Sequence, residues 1–449
     1  MHLEFLWTDK CFLVLLSIAI AITLFSLRQQ QIRRSFAIIL HRPLAVSAGI
    51  FLLLFLVIAI LDSIHFDTGN DNANNMADSV LDKLVAPIGS VYEKTYSEPL
   101  ALRMFVSETQ MEQGIVKQIY PRLDYVPTAI KTAEDKQKII NLCLLKGLEY
   151  CIFVALAFWF FNIIINLNMK KKPIFYLSAS GYSTFFTVLT LVFLMVFCYS
   201  LSRSFHILGT GQIGQDIFYF SLKSIRTGLI IGLLTTLFML PLAVFLGIAA
   251  GYFGGFIDDV IQYVYTTLSS IPGVLLITAS ILSLQTYITS HPDQFKTLAE
   301  SADARLLALC FILGITSWTS LCRLLRAETL KLREVDYVMA AKALGSNWFT
   351  IIRKHLLPNV MHIVIITLVL DFSFLVMAEA VLSYVGVGVS PMTISWGNMI
   401  NGARLELARD PLVWWPMFAA FLFMFILVLA INLFADAVRD AFDPHQSQI

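Results

Sequence analysis

The sequence predicts an all-α, polytopic membrane protein with about nine transmembrane helices. Of its 449 residues, 57% are apolar and only 14% charged, with a mean hydropathy of +0.75, well above the roughly 45–50% apolar content of soluble domains. The apolar residues fall into blocks of about 17–25, the length that crosses ~30 Å of hydrocarbon at 1.5 Å per residue. The basic residues between blocks concentrate in alternate connections, as a protein with a fixed orientation requires. These observations exclude a soluble enzyme, a nucleic-acid binder or a disulfide scaffold as a reading of the whole chain. Five of the six cysteines (Cys11, Cys151, Cys198, Cys310, Cys322) lie within or at the ends of apolar blocks and only Cys143 in a hydrophilic stretch, so they frame no disulfide set.

The first span covers about 11–27. Its flank holds Glu4, Asp9 and Lys10 instead of a basic n-region; a cleavable leader is the alternative reading, on the small residues Ala19 and Ala21. The connection 28–43 carries Arg28, Arg33, Arg34 and Arg42 with no acid, and the second span covers 44–61. The stretch 62–147 holds 12 acids and 9 bases. Its start, Asp67 to Asn75, is rich in turn residues, whereas 76–118 and 128–146 have helix-compatible composition and predict a small helical extracytoplasmic domain. Spans at 148–167 and 183–201 form a hairpin around the acid-free Lys170–Lys172 connection. Five more spans follow at 227–250, 270–287, 304–321, 361–386 and 413–435. Segment 322–360 carries seven basic residues against Glu328, Glu334 and Asp336. The three basic connections share one side, which by their charge is the cytoplasm. That places the N-terminus outside and the C-terminus inside.

The most informative segment runs from Asp336 to Asn359. It reads as two short amphipathic helices broken at Gly345, where a left-handed turn costs little, with Pro358 at the entry to the next span. By charge alone it could be a solvated basic connector. Its spacing says more: Ala340 and Ala341, then Gly345, then His355-Leu-Leu357-Pro358 resemble the signature loop of ABC importer permeases, and His355 matches the peptide and nickel branch. Met339 stands where the family usually has Glu. Leu382-Ser-Tyr-Val-Gly-Val-Gly388, Pro391 and Ser395-Trp-Gly-Asn-Met399 are similar to that branch's motif after its fifth span. Trp318, Arg323 and Arg326, the turn Ala250–Gly255 with Asp258 and Pro272, and the tail Asn432–Pro444 match further motifs. His206–Asp216 is similar to an extracytoplasmic motif, with Gly211 and Gln215 replacing an Asp and an Arg.

The resemblance implies a core at 34–61 and 202–449, preceded by an extra span and linker (1–33) and interrupted by an extracytoplasmic domain (62–147) and a transmembrane hairpin (148–201). It implies the second, C-type permease of an oligopeptide or dipeptide importer, in a bacterial cytoplasmic membrane. The expected partners are a homologous permease, two ATPases that bind the ATP and Mg and dock on 322–360, and an extracytoplasmic peptide-binding protein that delivers to 202–226 and 387–412. This chain is expected to hold no cofactor, metal or catalytic residues, having no phosphate-binding loop or nucleophile arrangement. Nickel or another small solute is the alternative cargo, and an ion-coupled secondary transporter the alternative class.

Several residues stand out within the spans. Gly247 and Gly251 form a small-residue face with Ala250, suited to close helix approach within the subunit or against a partner. Asp371 and Glu379 are acids inside a span, where a lipid-facing charge costs at least about 2.5–3.5 kcal/mol; they are candidates for the translocation path or for structural hydrogen bonding. Asp258 and Asp259 are expected in a short cytoplasmic turn, and Trp396, Trp414 and Trp415 as interfacial anchors.

Overall fold

The computed structural model describes residues 2–442 apart from 5, 27, 29, 68–77, 90, 113–114, 170–177 and 292–296. The Lys170–Lys172 connection, most of the turn-rich stretch up to Asn75 and the tail from Asp443 lie outside the described residues. Among the described residues, nine helices are long and apolar enough to cross a membrane, and they coincide with the nine predicted spans. Strand β1 (His2–Glu4) leads into α1 (Trp7–Ser26), α2 (Gln30–His41) and α3 (Pro43–Ser63). The hairpin is α6 (Ala133–Met169) with α7 (Ala179–Ser202). The remainder comprises α8 (Ile217–Phe253), α9 (Gly255–Ser270), α10 (Gly273–Ser290), α11 (Leu298–Arg333), α12 (Asp336–Ala343), α13 (Trp348–Ile351), α14 (Leu357–Tyr384), α15 (Trp396–Glu406) and α16 (Trp415–Phe442).

The stretch between α3 and α6 is not the small helical domain its composition suggested. It contains β2 (His65–Asp67), β3 (Asp78–Ser79), the single turns α4 (Val80–Leu84) and α5 (Ala86–Gly89), and the antiparallel hairpin of β4 (Glu108–Glu112) and β5 (Ile115–Ile119). The rest is largely irregular up to Ala133. Pro99, Pro121 and Pro127 remove helix donors, and Ile115-Val-Lys-Gln-Ile119 is rich in β-branched residues that favour strand. Strand β1 pairs with β2, so the chain's start shares a face with this insert. The acids Asp258 and Asp259 likewise lie on the helix α9 and not in a turn. Gly254 (φ +65°) ends α8, and α9 turns its Ile261 and Tyr265 inward.

Helix starts follow capping chemistry. Ser178, Asp216, Thr297 and Ser395 each accept a backbone N–H three residues on, satisfying donors a helix leaves open. The core centres on α8 and α11. Phe55, Ile230, Leu234, Ile281, Leu309, Leu313 and Leu427 fill its half nearer the insert. Trp318, Leu321, Leu325, Ile248 and Val360 fill the opposite half. The hairpin sits outside this core on α3: Ser183 donates to Pro43 O at 2.8 Å and Thr187 to Ser47 Oγ at 2.8 Å. Its Phe153, Leu156 and Phe160 point outward, exposed, a face suited to lipid.

Candidate functional site

The face opposite the insert carries the segment singled out in the sequence. Helix α12 ends in a Schellman motif: Gly345 N donates to Lys342 O at 3.0 Å and Ser346 N to Ala341 O at 3.1 Å. That geometry needs a left-handed residue, and Gly345 has φ +77°. Nothing lies within 4 Å of where its Cβ would be, so the requirement is one of backbone conformation and not of space. After α13 the chain makes a π turn, Ile352–Leu356, before Pro358 enters the first turn of α14. A proline has no N–H to offer the preceding turn, and a widened turn accommodates the loss. His355 and Tyr337 rings lie 6.0 Å apart, and Asn359 Nδ2 donates to Tyr337 Oη at 3.0 Å and to His355 O at 2.6 Å. These contacts tie α12 to the start of α14.

The segment has two sides. Val338, Ile351 and Leu356 are buried among residues of α8, α9, α11 and α14, with Ala341 and Leu357 partly buried beside them. Pointing away are Tyr337, Met339, Trp348 and Phe349, all exposed, and Leu344, which is 86% exposed. Ala340 is exposed on the same helix. The segment is thus an exposed apolar knob held rigidly from behind. Behind it, α8 and α11 approach closely. A Cβ on Gly247 would lie 2.9 Å from Cys322 O, and one on Gly251 would lie 2.6 Å from Thr329 Cβ. Both glycines therefore pack within this chain. Arg326 grips Asp258 through two nitrogens, one at 2.6 Å, and Arg323 lies over the Tyr265 ring at 5.2 Å, fastening α9 to α11.

Glu379 is buried, 3% exposed. It accepts from Ser383 Oγ at 2.8 Å and Ser395 Oγ at 2.9 Å, and Gly397 leaves room for it, since a Cβ there would lie 2.5 Å from Oε1. The carboxylate thus organises the turn from α14 into α15. Asp371 is partly buried and has no hydrogen-bond or ion-pair partner among the described residues. Trp396 and Trp415 are not interfacial anchors: they are 2% and 1% exposed and donate to Ser221 O and Thr210 O. Only Trp414, 47% exposed, suits that place. The insert covers Trp415, with Tyr96 and Phe105 packing edge-on against it, while Trp396 is buried in the main core against Gly228 of α8.

The insert also covers much of the loop between α7 and α8. Glu93 N donates to Gly214 O and Thr210 N to Ser97 O, each at 3.1 Å. Beneath lies a buried trio in which His206 bonds Asp216 at 2.6 Å, faces Glu93 at 3.7 Å and stacks on Tyr125. Burial alone would lower the His206 pKa; attraction to Asp216 and Glu93 outweighs it and pushes the pKa up to about 9.

Comparison with known proteins agrees with this arrangement. Residues 243–448 match the family model described as "binding-protein-dependent transport system inner membrane component". The chain is 31% identical over 243 residues to the dipeptide transport system permease protein DppC of Lactococcus lactis, covering 54% of this chain and 65% of that one. It is 31% identical to the glutathione transport system permease protein GsiD of Pectobacterium atrosepticum, covering 54% of this chain and 73% of that one. It is also 31% identical to the oligopeptide transport system permease protein OppC of Mycobacterium bovis, covering 53% of this chain and 76% of that one. The chain therefore belongs to this family of transport permeases, and within it to the group that includes these peptide permeases. It spans about two thirds to three quarters of the length of these relatives.

Proposed function

We propose that this chain is the C-type permease subunit of an ATP-driven peptide importer in a bacterial cytoplasmic membrane. It pairs with a homologous permease to form the pathway between them. Two ATPases dock on the 322–360 side, which faces the cytoplasm, as does the C-terminus; the insert and the N-terminus face outward. ATP and Mg belong to those ATPases. A peptide-binding protein delivers cargo to the outer face, where Met392, Leu405 and Leu412 remain exposed. The names of the three relatives support peptide cargo.

One observation carries the reading. The 336–358 segment exposes Leu344, Trp348 and Phe349 while Val338, Ile351 and Leu356 key it into the ends of four helices. A partner that moves the knob therefore moves the helices as packed bodies. The test is purification of the complex carrying Leu344→Asp with Trp348→Asp. The expected result is loss of the ATPase subunits and of ATP-dependent peptide uptake, with the permease still folded. A wild-type complex lacking any ATP-hydrolysing subunit overturns the proposal.

A further inference from the structure

Helix α1 is an addition to the permease core, yet two residues of its first turn are among the most buried in the chain. Thr8 and Asp9 are both 0% exposed. Thr8 N donates to Asp303 Oδ2 at 3.1 Å and its hydroxyl to the other oxygen. Asp9 Oδ1 accepts from Arg226 Nε at 2.9 Å and Nη2 at 2.6 Å, and its Oδ2 faces His65 Nδ1 at 3.5 Å. One turn earlier on α8, Lys223 lies 2.8 Å from both Asp82 oxygens and 3.5 Å from Asp62. Tyr219 donates to Asp82 at 2.5 Å and Ser79 to Asp62 at 2.8 Å. Carboxylates from α1, α3 and α4 thus converge on two cations of α8, while the α11 carboxylate Asp303 holds α1 through Thr8.

The attachment continues inward for one more turn, where Phe12 is 0% exposed within the main core. Beyond it, residues 17–25 are all exposed, so α1 is held at its outer end alone. Removing α1 would strip the largely buried Arg226 guanidinium of the oxygen that accepts from two of its nitrogens, and a charge left that way is unfavourable. Helices α8 and α11 run continuously from the inner side, α8 through Pro241, to this cluster at Arg226 and Asp303, about 40–45 Å at 1.5 Å per residue.

We infer that α1 is a working part of the mature permease and that Asp9 is a positioning residue, holding the outer ends of α1, α3, α8 and α11 and the head of the insert as one block. Motion received at the inner ends of α8 and α11 then reaches the outer face without slack. This rests on the ATP-coupled reading above.

The test uses the whole transporter in proteoliposomes and reads peptide taken up per ATP hydrolysed. Asp9→Asn is expected to cut that ratio at least 5-fold, with basal ATP hydrolysis per assembled complex within 2-fold of wild type. Asp9→Glu, which keeps the charge, is expected to restore at least half of it. Intact mass of the wild-type chain is expected to include α1. An unchanged ratio in Asp9→Asn, even with less complex assembled, overturns the inference, as does a mature chain lacking α1. Should Asp9→Asn fail to assemble, Arg226→Lys is read in its place: it keeps the charge but loses the two-nitrogen grip, and an unchanged ratio overturns the inference. A wild-type complex that takes up no peptide on ATP instead refutes the importer reading itself.

Discussion

Gly345 permits a prediction in which conformation and packing separate cleanly. Its φ is +77° and its surroundings are empty within 4 Å, so a side chain there meets no clash, only the left-handed backbone penalty. That penalty is about 1–2 kcal/mol for an ordinary L-residue, smaller for Asn, whose side chain tolerates the region, and largest for a β-branched residue. The substituted segment can avoid it only by giving up the bonds from Gly345 N and Ser346 N, which unwinds the end of α12 that positions Leu344. A shift of 1–2 kcal/mol is a factor of about 5–30 in population. ATP-dependent uptake in proteoliposomes should therefore fall in the order Gly, Asn, Ala, Val, with Val reduced about 5- to 30-fold at equal amounts of inserted protein. Gly345→Val transporting like wild type, or Asn performing worse than Val, would refute the reasoning.

Three more outcomes are expected. Gly251→Leu should lower stability by about 1–3 kcal/mol through overpacking against Thr329 and the Arg326 carbonyl, seen as a lower melting temperature in detergent, whereas Gly273→Ala, with nothing within 4 Å, should not. Glu379→Leu strands the hydroxyls of Ser383 and Ser395 at about 1–3 kcal/mol each; Glu379→Gln keeps an acceptor and should melt close to wild type. The His206 pKa is raised in the folded state, so its contribution, up to about 3 kcal/mol, is fully present below the unfolded value near 6.5 and is lost as pH rises through about 9. A melting profile from pH 6 to 10 should show that loss, and His206→Gln should flatten it.

The membrane architecture was legible because hydropathy over twenty residues is a strong signal that needs no tertiary information. The backbone of the 336–358 segment was legible for a related reason: Gly345 and Pro358 impose local backbone conformations wherever they stand. The insert was not, because its irregular chain owes its shape to the core it lies on. Trp396 and Trp415 read as anchors because their acceptors, Ser221 O on α8 and Thr210 O in the α7–α8 loop, are distant in sequence. The Asp9 cluster joins residues from 9 to 303 and left only a faint trace. Asp9, Asp62 and Asp303 each stand within two residues of a predicted span's outer end, and Lys223 and Arg226 precede another. That coincidence of opposite charges at one depth was the available clue. Glu379 carried an ambiguous signal, because an acid inside a span reads alike whether it meets water or, as here, two serines.

The one-ended attachment of α1 bears on how the protein meets bilayers of differing thickness. A span anchored along its whole length must pass any mismatch on to its neighbours, whereas tilting is the least demanding way for a helix to match a thinner or thicker hydrocarbon layer. With the attachment ending near Leu15 and Ile18, Ile22 and Phe25 facing outward, the exposed half of α1 can lean without prying at α8 or α11. The exposed half of α1 then absorbs thickness changes that α8 and α11 are spared.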